Sequence, residues 1–570
     1  MDEKLEKLRH SAAHLLAAAV LELYPEALRT IGPAIESGFY YDFDNLKITE
    51  DDLPKVEKKM HSLLKTWKSF EKHELSAAEA KKIYPNNPYK HELIDEFSEK
   101  GKKKVTFYKS GSFEDLCRGN HIEHPQKELQ HFKLLKIAGA YWRGESKNKM
   151  LTRIYGTAFP TQKELEEHLK QQEEAERRNH IKLGKQLGLF SIHPEGPGFP
   201  FFHPKGMLIW NELMSYWKAE HALEQYQEVK TPIVLNKSLW TTSGHWDYYR
   251  QNMYLLKIDE QDFAIKPMNC PGGMLIYKSQ IHSYRELPLK LAEIGTVHRH
   301  ELSGVLNGLF RVRTFTQDDS HIFCTKEQIK DEVIKVIRLI DRMYKTFGLT
   351  YHMELSTRPE KSIGSKEQWD LAESALQQAL QEVKANYKLN PGDGTFYGPK
   401  IDFHIKDSLG RTWQCGTIQL DFNLPERFDL TYEGEDGKKH RVTMLHRVVY
   451  GAVERFFGIL IEHYAGHFPL WLAPVQVKIV TVNDSCIPFA EQLFHQLKLS
   501  DIRVELDARA ESINKKVRDA ETEKIPIILT IGEKELAKKT LAVREQGKVQ
   551  FDIFPATFLK QLKERIQKRC

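Results

Sequence analysis

The sequence contains few cysteines and no long uninterrupted apolar segment. Its 570 residues include six cysteines, scattered without close pairs at positions 117, 270, 324, 415, 486 and 570. Small secreted domains depend on closely spaced cysteines, so this pattern argues against a disulfide framework and favours a reducing compartment. The most apolar late segment, residues 456–477, is interrupted by Glu462, His463, His467 and two prolines, and the charged start MDEKLEKLRH has no apolar core. We therefore expect no membrane span, no secretory signal and a cytoplasmic location.

The chain also lacks internal repeats, low-complexity tracts and a large excess of charge of either sign. Hydrophobic residues make up 41% and charged residues 29%, with a formal net charge of +5. This is the composition of a globular protein, and the mild positive charge permits an anionic partner without requiring one. At roughly 100–200 residues per domain, the length predicts about three or four domains.

Changes in composition divide the chain into four parts. Residues 1–160 mix helix and strand patterns, and the strongly charged residues 161–189 predict a solvated connecting helix. The segment HPEGPGFPFFHPKG marks a boundary, and residues 190–468 carry aromatic-rich strand candidates separated by glycine turns. Residues 469–570 alternate apolar and amphipathic segments in a β-α-β-α-β rhythm, which indicates a small α/β domain. The expected fold class is a multidomain α/β and α+β protein.

Arginine-rich motifs in the central part have the chemistry of a nucleotide site. In HRHE, Arg299 and Glu301 are two residues apart, so on a strand they would share one face. A guanidinium is a planar fork that matches phosphate, and a carboxylate can accept a hydrogen bond from an adenine amino group. Arg311 and Arg313 follow on the next candidate strand, and Arg455 lies in the helix-like run GAVERFFGIL. A surface salt bridge is the competing interpretation for Arg299 and Glu301 alone.

The N-terminal part contains two motifs of the metal-site type. His10 and His14 in LRHSAAHLLA are four residues apart in a predicted helix, so both imidazoles lie on one face. Downstream, EDLCRGNHIEHP supplies Cys117 and His121 at the same spacing. H-x-x-x-H combined with C-x-x-x-H is a typical zinc-ligand pattern. Ordinary helix packing is the competing interpretation, and the residues alone leave both open.

Five long motifs carry a resemblance to a known family. KPMNCPGGMLIY, GTVHRHELSG, GLFRVRTFTQDDSHIFC, YGPKIDFHIKDSLGRTWQCGTIQLDF and MLHRVVYGAVERFFGIL together resemble the class II aminoacyl-tRNA synthetases, and among them the threonyl-tRNA synthetases. The likeness extends from His10 to about Arg544. It implies an α+β editing domain over 1–160, a linker helix over 161–189, a catalytic antiparallel sheet with helices over 190–468, and an α/β anticodon-binding domain over 469–570.

The resemblance implies the reaction and its nucleotide site. The enzyme would activate L-threonine with ATP and Mg²⁺ to threonyl-adenylate, and then transfer the threonyl group to tRNA(Thr). The implied ATP-binding residues are Arg299, Glu301, Arg311, Gln414 and Arg455, with Arg299, Arg455 and Lys400 as catalytic residues. Pro232 matches the proline that ends the first class II motif, which implies a homodimer.

The resemblance also implies a zinc-containing amino-acid pocket. Cys270, His321 and His446, far apart in sequence, match three zinc ligands, and one Zn²⁺ per chain is expected. Three protein ligands leave a position open for the substrate. Gln317, Asp319 and Tyr397 match neighbouring pocket residues, with Asp319 accepting from the threonine hydroxyl.

Substrate discrimination explains why an N-terminal site would be needed. A site that engages the hydroxyl rejects valine by about 10⁴–10⁵, whereas the missing methyl of serine is worth only about 10–200-fold. Serine would therefore be attached by mistake and must be removed by hydrolysis. The resemblance assigns this editing to His10, His14, Lys90, Asp115, Cys117 and His121, acting mainly without bound metal.

At the C-terminal end, Glu535 and Arg544 match positions that contact anticodon bases, and solvated surface charge is the competing interpretation. Three departures from the family are expected to matter. A leading ubiquitin-like module is missing before the editing helix, Gly273 replaces the usual histidine, and Ala452 replaces a common serine. The alternative functions are a synthetase-like RNA-binding regulator that has lost catalysis, or another class II synthetase.

Overall fold

A computed structural model describes residues 2–99, 104–145 and 147–569 of the chain. The chain divides into two compact units, Met1–Glu173 and Glu174–Cys570. Among the helices that lie in these described ranges, none has both the length and the apolarity needed to cross a membrane.

The first unit combines helices with two antiparallel sheets. Its helices are α1 (Glu3–Leu23), α2 (Leu53–Leu64), α3 (Ala77–Ile83), α4 (Pro88–Glu99) and α5 (Pro125–Glu128). Its strands are β1 (Leu28–Arg29), β2 (Ala34–Ile35), β3 (Gly38–Asp44), β4 (Glu71–Ser76), β5 (Lys104–Ser110), β6 (Phe113–Leu116), β7 (His131–Tyr141) and β8 (Met150–Phe159). One sheet has the order β1-β3-β8-β7, with β2 beside β3, and the other has the order β4-β5-β6.

Helix α1 is long because its sequence favours a helix at every step. Asp2 caps its first turn by accepting from the Lys4 amide, and the alanine-rich middle has high helix propensity. Its buried face packs on the first sheet, in a core that includes Leu15, Phe39 and Ile154. The packing fixes the helix that carries His10 and His14.

The second unit contains a large central sheet. The division between the units falls within helix α6 (Gln162–Arg178). The helices that follow, up to residue 463, are α7 (His180–Gln186), α8 (Pro204–Leu223), α9 (Lys237–Ser243), α10 (His245–Tyr248), α11 (Cys270–Lys278), α12 (Ile329–Thr346), α13 (Lys366–Glu382), α14 (Asn423–Arg427) and α15 (Val453–His463). The strands are β9 (Phe190–Ile192), β10 (Pro200–Phe202), β11 (Gln227–Glu228), β12 (Val234–Asn236), β13 (Tyr254–Ile258), β14 (Gln261–Ile265), β15 (Leu289–His298), β16 (Thr314–Cys324), β17 (Thr350–Ser356), β18 (Tyr387–Asn390), β19 (Lys400–Lys406), β20 (Thr412–Asp421), β21 (Thr431–Glu433), β22 (Lys439–Arg441) and β23 (Thr443–Val448).

Eight of these strands form one sheet in the order β11-β15-β16-β23-β20-β19-β17-β18. All neighbouring pairs are antiparallel except β11 with β15 and β17 with β18. Because side chains alternate along a strand, Ile401, Phe403 and Ile405 of β19 enter the main core with α12, α13 and α15, and the residues between them point to the opposite face. That polar face carries the candidate site, and the predicted antiparallel catalytic sheet is confirmed.

The C-terminal part of this unit is the predicted α/β fold. Its elements are β24 (Val477–Thr481), α16 (Ile487–Lys498), β25 (Val504–Asp507), α17 (Ile513–Thr522), β26 (Ile527–Ile531), α18 (Glu533–Lys538), β27 (Leu541–Glu545), β28 (Lys548–Ile553) and α19 (Pro555–Gln567). The sheet order is β25-β24-β26-β27-β28, with β24 parallel to both β25 and β26. Parallel neighbours need helical crossovers, which explains the alternating sequence pattern.

The structure differs from the predicted solvated helix over 161–189. The helix is broken at Asn179, whose side chain accepts from the Ile181 and Lys182 amides and caps α7. One face of helix α7 is buried rather than solvated, because His180 is buried and bonds the Glu462 carboxylate through Nδ1 at 2.7 Å. His180 Nε2 also accepts from the Leu309 amide, so α7 is part of the core around the central sheet.

Candidate functional site

A cavity of about 620 Å³ opens on the polar face of the central sheet. Most residues that the sequence assigned to ATP and to the amino acid line this one cavity. They are Arg299, Glu301, Arg311, Gln414 and Arg455 from the first set, and Cys270, Gln317, Asp319, Tyr397 and His446 from the second. His321 and Lys400 are not part of the lining.

Strand register brings together ligands that are distant in sequence. Strands β16 and β23 pair so that His321 lies directly opposite His446. Cys270 approaches from the first turn of α11. The three donor atoms lie within 4.8 Å of one another, and all three residues are buried.

The electrostatics of this cluster fit a bound metal ion. Burial lowers the pKa of His321 well below its usual value, which keeps its imidazole neutral, as a metal ligand requires. Burial raises the pKa of the Cys270 thiol well above its usual value, so its thiolate needs a bound cation to stabilise it. The Nε2 atom of His321 is buried without a hydrogen-bond partner among the described residues. His446 Nε2 is held by the Asp421 carboxylate at 2.9 Å, the kind of support that metal-ligating histidines receive. One sulfur and two nitrogen donors are typical zinc ligands.

Asp319 stands beside this cluster as the candidate acceptor for a substrate hydroxyl. It accepts from Asn269 Nδ2 at 3.2 Å, and burial raises its pKa. Tyr397, whose ring centroid lies 5.3 Å from that of His446, donates to Gln419 and has its pKa raised well above normal by burial. The part of the wall beside the cluster therefore contains a carboxyl group and an un-ionised phenol.

Arg299, Arg311 and Arg455 also line the cavity. Arg299 Nε donates to the Pro267 carbonyl at 3.1 Å, and its guanidinium lies 5.0 Å from the Phe315 ring centroid. Arg455 Nε donates to the Phe310 carbonyl at 3.0 Å, and its Nη1 donates to the Gln414 carbonyl at 3.3 Å. These contacts fix the two side chains at the wall, where they can meet an anion.

The prediction that Arg299 and Glu301 share a strand face is wrong. Strand β15 ends at His298 and β16 begins at Thr314, so Arg299, Glu301 and Arg311 lie in the connecting loop. The backbone leaves the ladder here, because the His300 amide bonds the Asn252 carbonyl and the Glu301 amide bonds the Arg299 carbonyl, each at 2.9 Å. Within this loop, Arg311 pairs with Glu301 at 3.0 and 2.9 Å. The arginines still reach the cavity.

Lys400 is held at the edge of the site rather than at its wall. Its ammonium lies 2.7 Å from Asp402 and 3.1 Å from Asp393. Burial lowers the pKa of Lys400, but the two carboxylates outweigh this effect and the net pKa is raised. Asp402 also accepts from Gln414 Nε2 at 2.6 Å, so Lys400 connects to the cavity through these two side chains.

The sequence interpretation missed Asp318, although it sits next to Asp319. Strand alternation turns its carboxylate to the other face, where it accepts from the amides of Val449, Tyr450 and Gly451 and from the Trp217 indole. Burial raises its pKa to about 6. The pair of aspartates in the motif QDDS was the available signal, since one of two adjacent strand residues must face away from the pocket.

The first unit contains a second cluster of possible metal ligands, formed by the four predicted residues His10, His14, Cys117 and His121. His10 Nε2 lies 3.0 Å from Cys117 Sγ, and His121 Nε2 lies 3.3 Å from the same sulfur. Cys117 and His121 meet on a loop, where Gly119 and Asn120 have positive φ values of 118° and 68°. His14 completes the group, and its Nδ1 is buried without a partner among the described residues.

Burial keeps the imidazoles of this N-terminal cluster neutral. It lowers the pKa of His10, lowers that of His14 well below normal, and brings that of His121 to about 2. It also raises the pKa of Cys117 to about 11. Each neutral imidazole offers one donor and one acceptor nitrogen to a water molecule, whereas a pKa near 2 makes His121 a very weak base at neutral pH.

Asp115 is the centre of a buried hydrogen-bond network beside this cluster. It lies 2.8 Å from Lys90, and it accepts from Tyr41 at 2.6 Å and from Tyr84 at 2.7 Å. Burial alone would raise the pKa of Asp115, but Lys90 and Arg29 lower it well below its usual value. The pKa of Lys90 is lowered by burial. Tyr41, Tyr84 and Arg29 were not identified from the sequence, because isolated tyrosines and arginines carry no motif.

These groups surround a cavity of about 540 Å³ lined by His10, His14, Tyr41, Lys90, Asp115 and Cys117, among other residues. His121 is not in this lining; its ring stacks between Phe70 and His10, at centroid distances of 4.0 and 4.6 Å.

The two predicted anticodon residues lie on neighbouring elements. Glu535 is in α18, and its carboxylate accepts from the Gly532 amide at 3.1 Å, which caps that helix. Arg544 is on β27, with Glu521 at 3.9 Å. The described contacts do not join the two residues to each other.

The fold and the cavity define a class II aminoacyl-tRNA synthetase, and comparison with sequence families agrees. Residues 254–464 match the tRNA synthetase class II core domain (G, H, P, S and T), and residues 476–565 match an anticodon-binding domain. Residues 105–155 match the threonyl and alanyl tRNA synthetase second additional domain.

Comparison with individual proteins identifies the family within this class. The threonine–tRNA ligase of Desulfatibacillum aliphaticivorans is 56% identical over 569 residues, which is 100% of this chain and 89% of that protein. That of Clostridium tetani is 56% identical over 96% of this chain and 85% of its own length. A crystal structure of the RNA-binding domain of the threonyl-tRNA synthetase from Cryptosporidium parvum superposes with a TM-score of 0.65 at 39% identity, covering 68% of this chain and 98% of that one. The chain belongs to the threonine–tRNA ligase family, as the sequence motifs predicted.

Proposed function

We propose that the protein activates L-threonine with ATP, transfers it to tRNA(Thr) and hydrolyses seryl-tRNA(Thr) formed by mistake. The observation that carries this proposal is that Arg299, Arg455, Cys270 and His446 line one cavity. The arginines suit a triphosphate, and the sulfur and nitrogen donors suit a metal ion that binds a small amino acid with a hydroxyl group.

The first step needs positive charge around the nucleotide. A carboxylate oxygen of threonine attacks the α-phosphorus of ATP, the bond to the β-phosphate oxygen breaks, and pyrophosphate leaves. Arg299 and Arg455, with the Mg²⁺ that accompanies ATP, stabilise the charge that develops on the phosphate oxygens. In the second step, the terminal ribose hydroxyl of the tRNA takes the threonyl group and AMP leaves. We assign Lys400 a positioning role through Asp402 and Gln414.

We propose that Cys270, His321 and His446 hold one Zn²⁺. When bound there, the ion supplies a Lewis-acid centre for the amino and hydroxyl groups of threonine. Asp421 orients His446, and Asp319 accepts a hydrogen bond from the substrate hydroxyl. Gln317 and Tyr397 enclose the remaining sides of the pocket. A site of this kind rejects valine far better than serine.

The N-terminal cavity supplies the correction. We propose that His10, His14 and His121 position a water molecule, and that His10 takes its proton as the water attacks the ester carbonyl of seryl-tRNA. The carbonyl carbon forms a bond to the water oxygen, the ester bond breaks, and the ribose hydroxyl recovers a proton. Lys90, held against Asp115, places positive charge beside the cavity, and Cys117 acts as a neutral hydrogen-bonding group.

The wider assignments follow the family. We propose that the C-terminal α/β domain binds the anticodon through Glu535 and Arg544, and that the enzyme works in the cytoplasm as a homodimer through the segment ending at Pro232. The boundaries 1–160, 161–189, 190–468 and 469–570 remain our proposed domains.

Amino-acid-dependent exchange of pyrophosphate with ATP tests this function. We expect exchange with threonine, exchange about 10–200-fold weaker with serine, and about 10⁴–10⁵-fold weaker with valine. Strong exchange with valine would contradict the hydroxyl-reading pocket. No exchange with any amino acid would favour the noncatalytic RNA-binding regulator, an alternative that the comparisons do not support.

A further inference from the structure

The polar face of the central sheet continues beyond the cavity onto strands β17 and β19. His352 and Glu354 are two residues apart on β17, so their side chains share one face. His404 of β19 lies directly opposite His352 in the antiparallel register. Its neighbours Phe403 and Ile405 are buried in the core on the other side of the sheet, so three chemically reactive side chains are gathered on one rigid surface.

The donor atoms of these three side chains converge. His352 Nε2 lies 3.4 Å from Glu354 Oε1, and His404 Nε2 lies 3.8 Å from Glu354 Oε2. The two imidazole rings are stacked, with centroids 4.9 Å apart and an interplanar angle of 12°. All the donor atoms lie within 4.8 Å of one another. Ligands that bind zinc at about 2.0–2.1 Å are roughly 3.3 Å apart in a tetrahedron, so small side-chain rotations would suffice.

An ordinary ion pair explains this arrangement less well than a metal site does. One protonated histidine would neutralise Glu354, and a second charged ring stacked upon the first would be repelled. Instead, the Nε2 atoms of both His352 and His404 point to the Glu354 carboxylate. Burial lowers the pKa of His404, which favours the neutral imidazole that metal binding requires.

We propose that His352, Glu354 and His404 bind a divalent transition-metal ion of the Zn²⁺, Co²⁺ or Ni²⁺ type. Two imidazoles and a carboxylate select such ions over Mg²⁺ and Ca²⁺, which prefer oxygen ligands alone. The side chain of His352 is 45% exposed, so water can reach the site and complete the coordination. This ion would be additional to the one assigned to Cys270, His321 and His446.

Two neighbouring groups define how tightly the ion is held. Lys388 Nζ lies 3.9 Å from Glu354 and competes for the carboxylate, but its side chain is 74% exposed and can turn away. Asn390 Nδ2 donates to Glu354 at 3.3 Å and steadies it. On the other side, Asp402 lies opposite Glu354 and bonds Lys400 and Gln414. The proposed ion would therefore be separated from Gln414, at the edge of the catalytic cavity, by one cross-strand residue pair, Glu354 with Asp402.

Cobalt binding to the full-length protein tests the proposal. Each of the other two groups of converging donors in the described residues contains a cysteine, so Co²⁺ bound there shows sulfur charge-transfer absorption, whereas Co²⁺ on His352, Glu354 and His404 does not. We expect the wild type to bind one more Co²⁺ per chain than His404→Gln or Glu354→Gln, and the missing absorption to lack the sulfur component. Removal of the competing cation in Lys388→Ala should tighten this binding by up to about fivefold.

His440→Ala provides the matched control. His440 is 44% exposed and lies 2.8 Å from Asp436 in the β21–β22 hairpin, so it is an equally exposed histidine–carboxylate pair without a second imidazole. We expect this variant to retain the wild-type number of ions. Thermal unfolding in excess chelator verifies that the variants are folded. Equal Co²⁺ stoichiometry and affinity in wild type, His404→Gln and Glu354→Gln would overturn the proposal.

Discussion

The cavity lined by Cys270, His446 and the arginines, called the catalytic cavity, and the N-terminal cavity lined by His10, His14 and Cys117 contain the same kinds of side chains. The charged groups around these side chains differ between the two cavities. Among the described residues, each cluster has one buried imidazole nitrogen without a partner, His321 Nε2 and His14 Nδ1. Around Cys270 and His446, the carboxylate of Asp319 lies nearby and that of Asp421 bonds His446. In the N-terminal cluster, the Cys117 sulfur is already engaged by His10 and His121. Cysteine and histidine alone therefore do not define a metal site; the groups that surround them decide between holding an ion and holding water.

The carboxylates sharpen this comparison. Asp421 bonds a histidine of the catalytic cluster, whereas Asp115 bonds Lys90, Tyr41 and Tyr84 and, among the described residues, none of the N-terminal histidines. A negative charge beside the donors favours a cation. The paired Lys90 instead favours the developing negative charge of an ester under attack.

The largest expected effect is that of removing a catalytic-cavity ligand. Cys270→Ala should lower kcat/KM for threonine-dependent ATP–pyrophosphate exchange by about 10³-fold or more, because the group that selects the hydroxyl is lost. The metal content should fall by one ion per chain. Cys324→Ala removes another fully buried thiol, in the core, and should leave both quantities unchanged. If Cys270→Ala retained wild-type exchange, the proposed difference between an ion-binding cavity and a water-binding cavity would be wrong.

The next largest effect is expected from removing a histidine of the N-terminal cavity, which should impair editing rather than threonine activation. His10→Ala should slow hydrolysis of seryl-tRNA(Thr) by about 10²–10⁴-fold, because a group that positions and deprotonates water is lost. Threonine charging should survive, since the two activities use different cavities. The exposed His124 offers a control substitution to alanine in the same unit. Normal serine clearance in His10→Ala would exclude this residue from the mechanism.

A smaller effect is expected from the support of a ligand. Asp421→Asn keeps the size of the side chain but removes its charge from His446 Nε2. We expect zinc affinity to weaken by about 10–100-fold, with partial recovery of exchange at high zinc. Unchanged affinity in a chelator competition would show that the carboxylate does not tune the ligand.

Two buried carboxylates should give opposite dependences of stability on pH. Glu454 forms no ion pair among the described residues; it accepts from the Thr316 amide, and burial raises its pKa to about 8. Its contribution to stability is complete below its unfolded value near 4.5 and is lost as the pH rises through 8. Asp115, whose pKa is lowered, contributes above its unfolded value and loses that contribution in acid.

Urea unfolding between pH 5 and pH 8 measures the first of these effects. We expect the second unit of the wild type to lose on the order of a few kcal/mol over this range, and Glu454→Gln to flatten the profile. The same slope in both proteins would contradict the assignment to Glu454.

The smallest expected effect concerns the departure at Gly273. A Cβ atom built there would lie 3.3 Å from Nδ1 of His321, so Gly273→Ala should press lightly on a ligand. We expect KM for threonine to rise by less than about tenfold, while the melting temperature rises because alanine favours helix α11. An unchanged KM would show that His321 has room to move.

Local patterns predicted the parts of the fold that depend on local physics. The alternation of apolar and amphipathic segments predicted the C-terminal α/β order, and the spacing of His10 and His14 predicted one helical face. The motif HRHE misled, because the backbone leaves the strand after His298, where the His300 amide bonds the carbonyl of Asn252, which is distant in sequence. The break at Asn179 was also missed, since the burial of α7 depends on Glu462, far away in sequence.

The catalytic cluster shows the limit of such predictions. Only strand pairing brings His321 opposite His446, so the cluster was predicted from resemblance and not from spacing. Asp421, Tyr41 and the pair of His352 and His404 were not identified, because their importance comes from tertiary neighbours. The difference between Asp318 and Asp319 likewise depends on which face of β16 meets the core.

The most direct test of this account is pyrophosphate exchange by the full-length enzyme after exhaustive chelation. We predict that threonine-dependent exchange falls in proportion to the ion lost from Cys270, His321 and His446, and that added Zn²⁺ restores it. An ion-free enzyme that activates threonine at the undiminished rate would contradict the account.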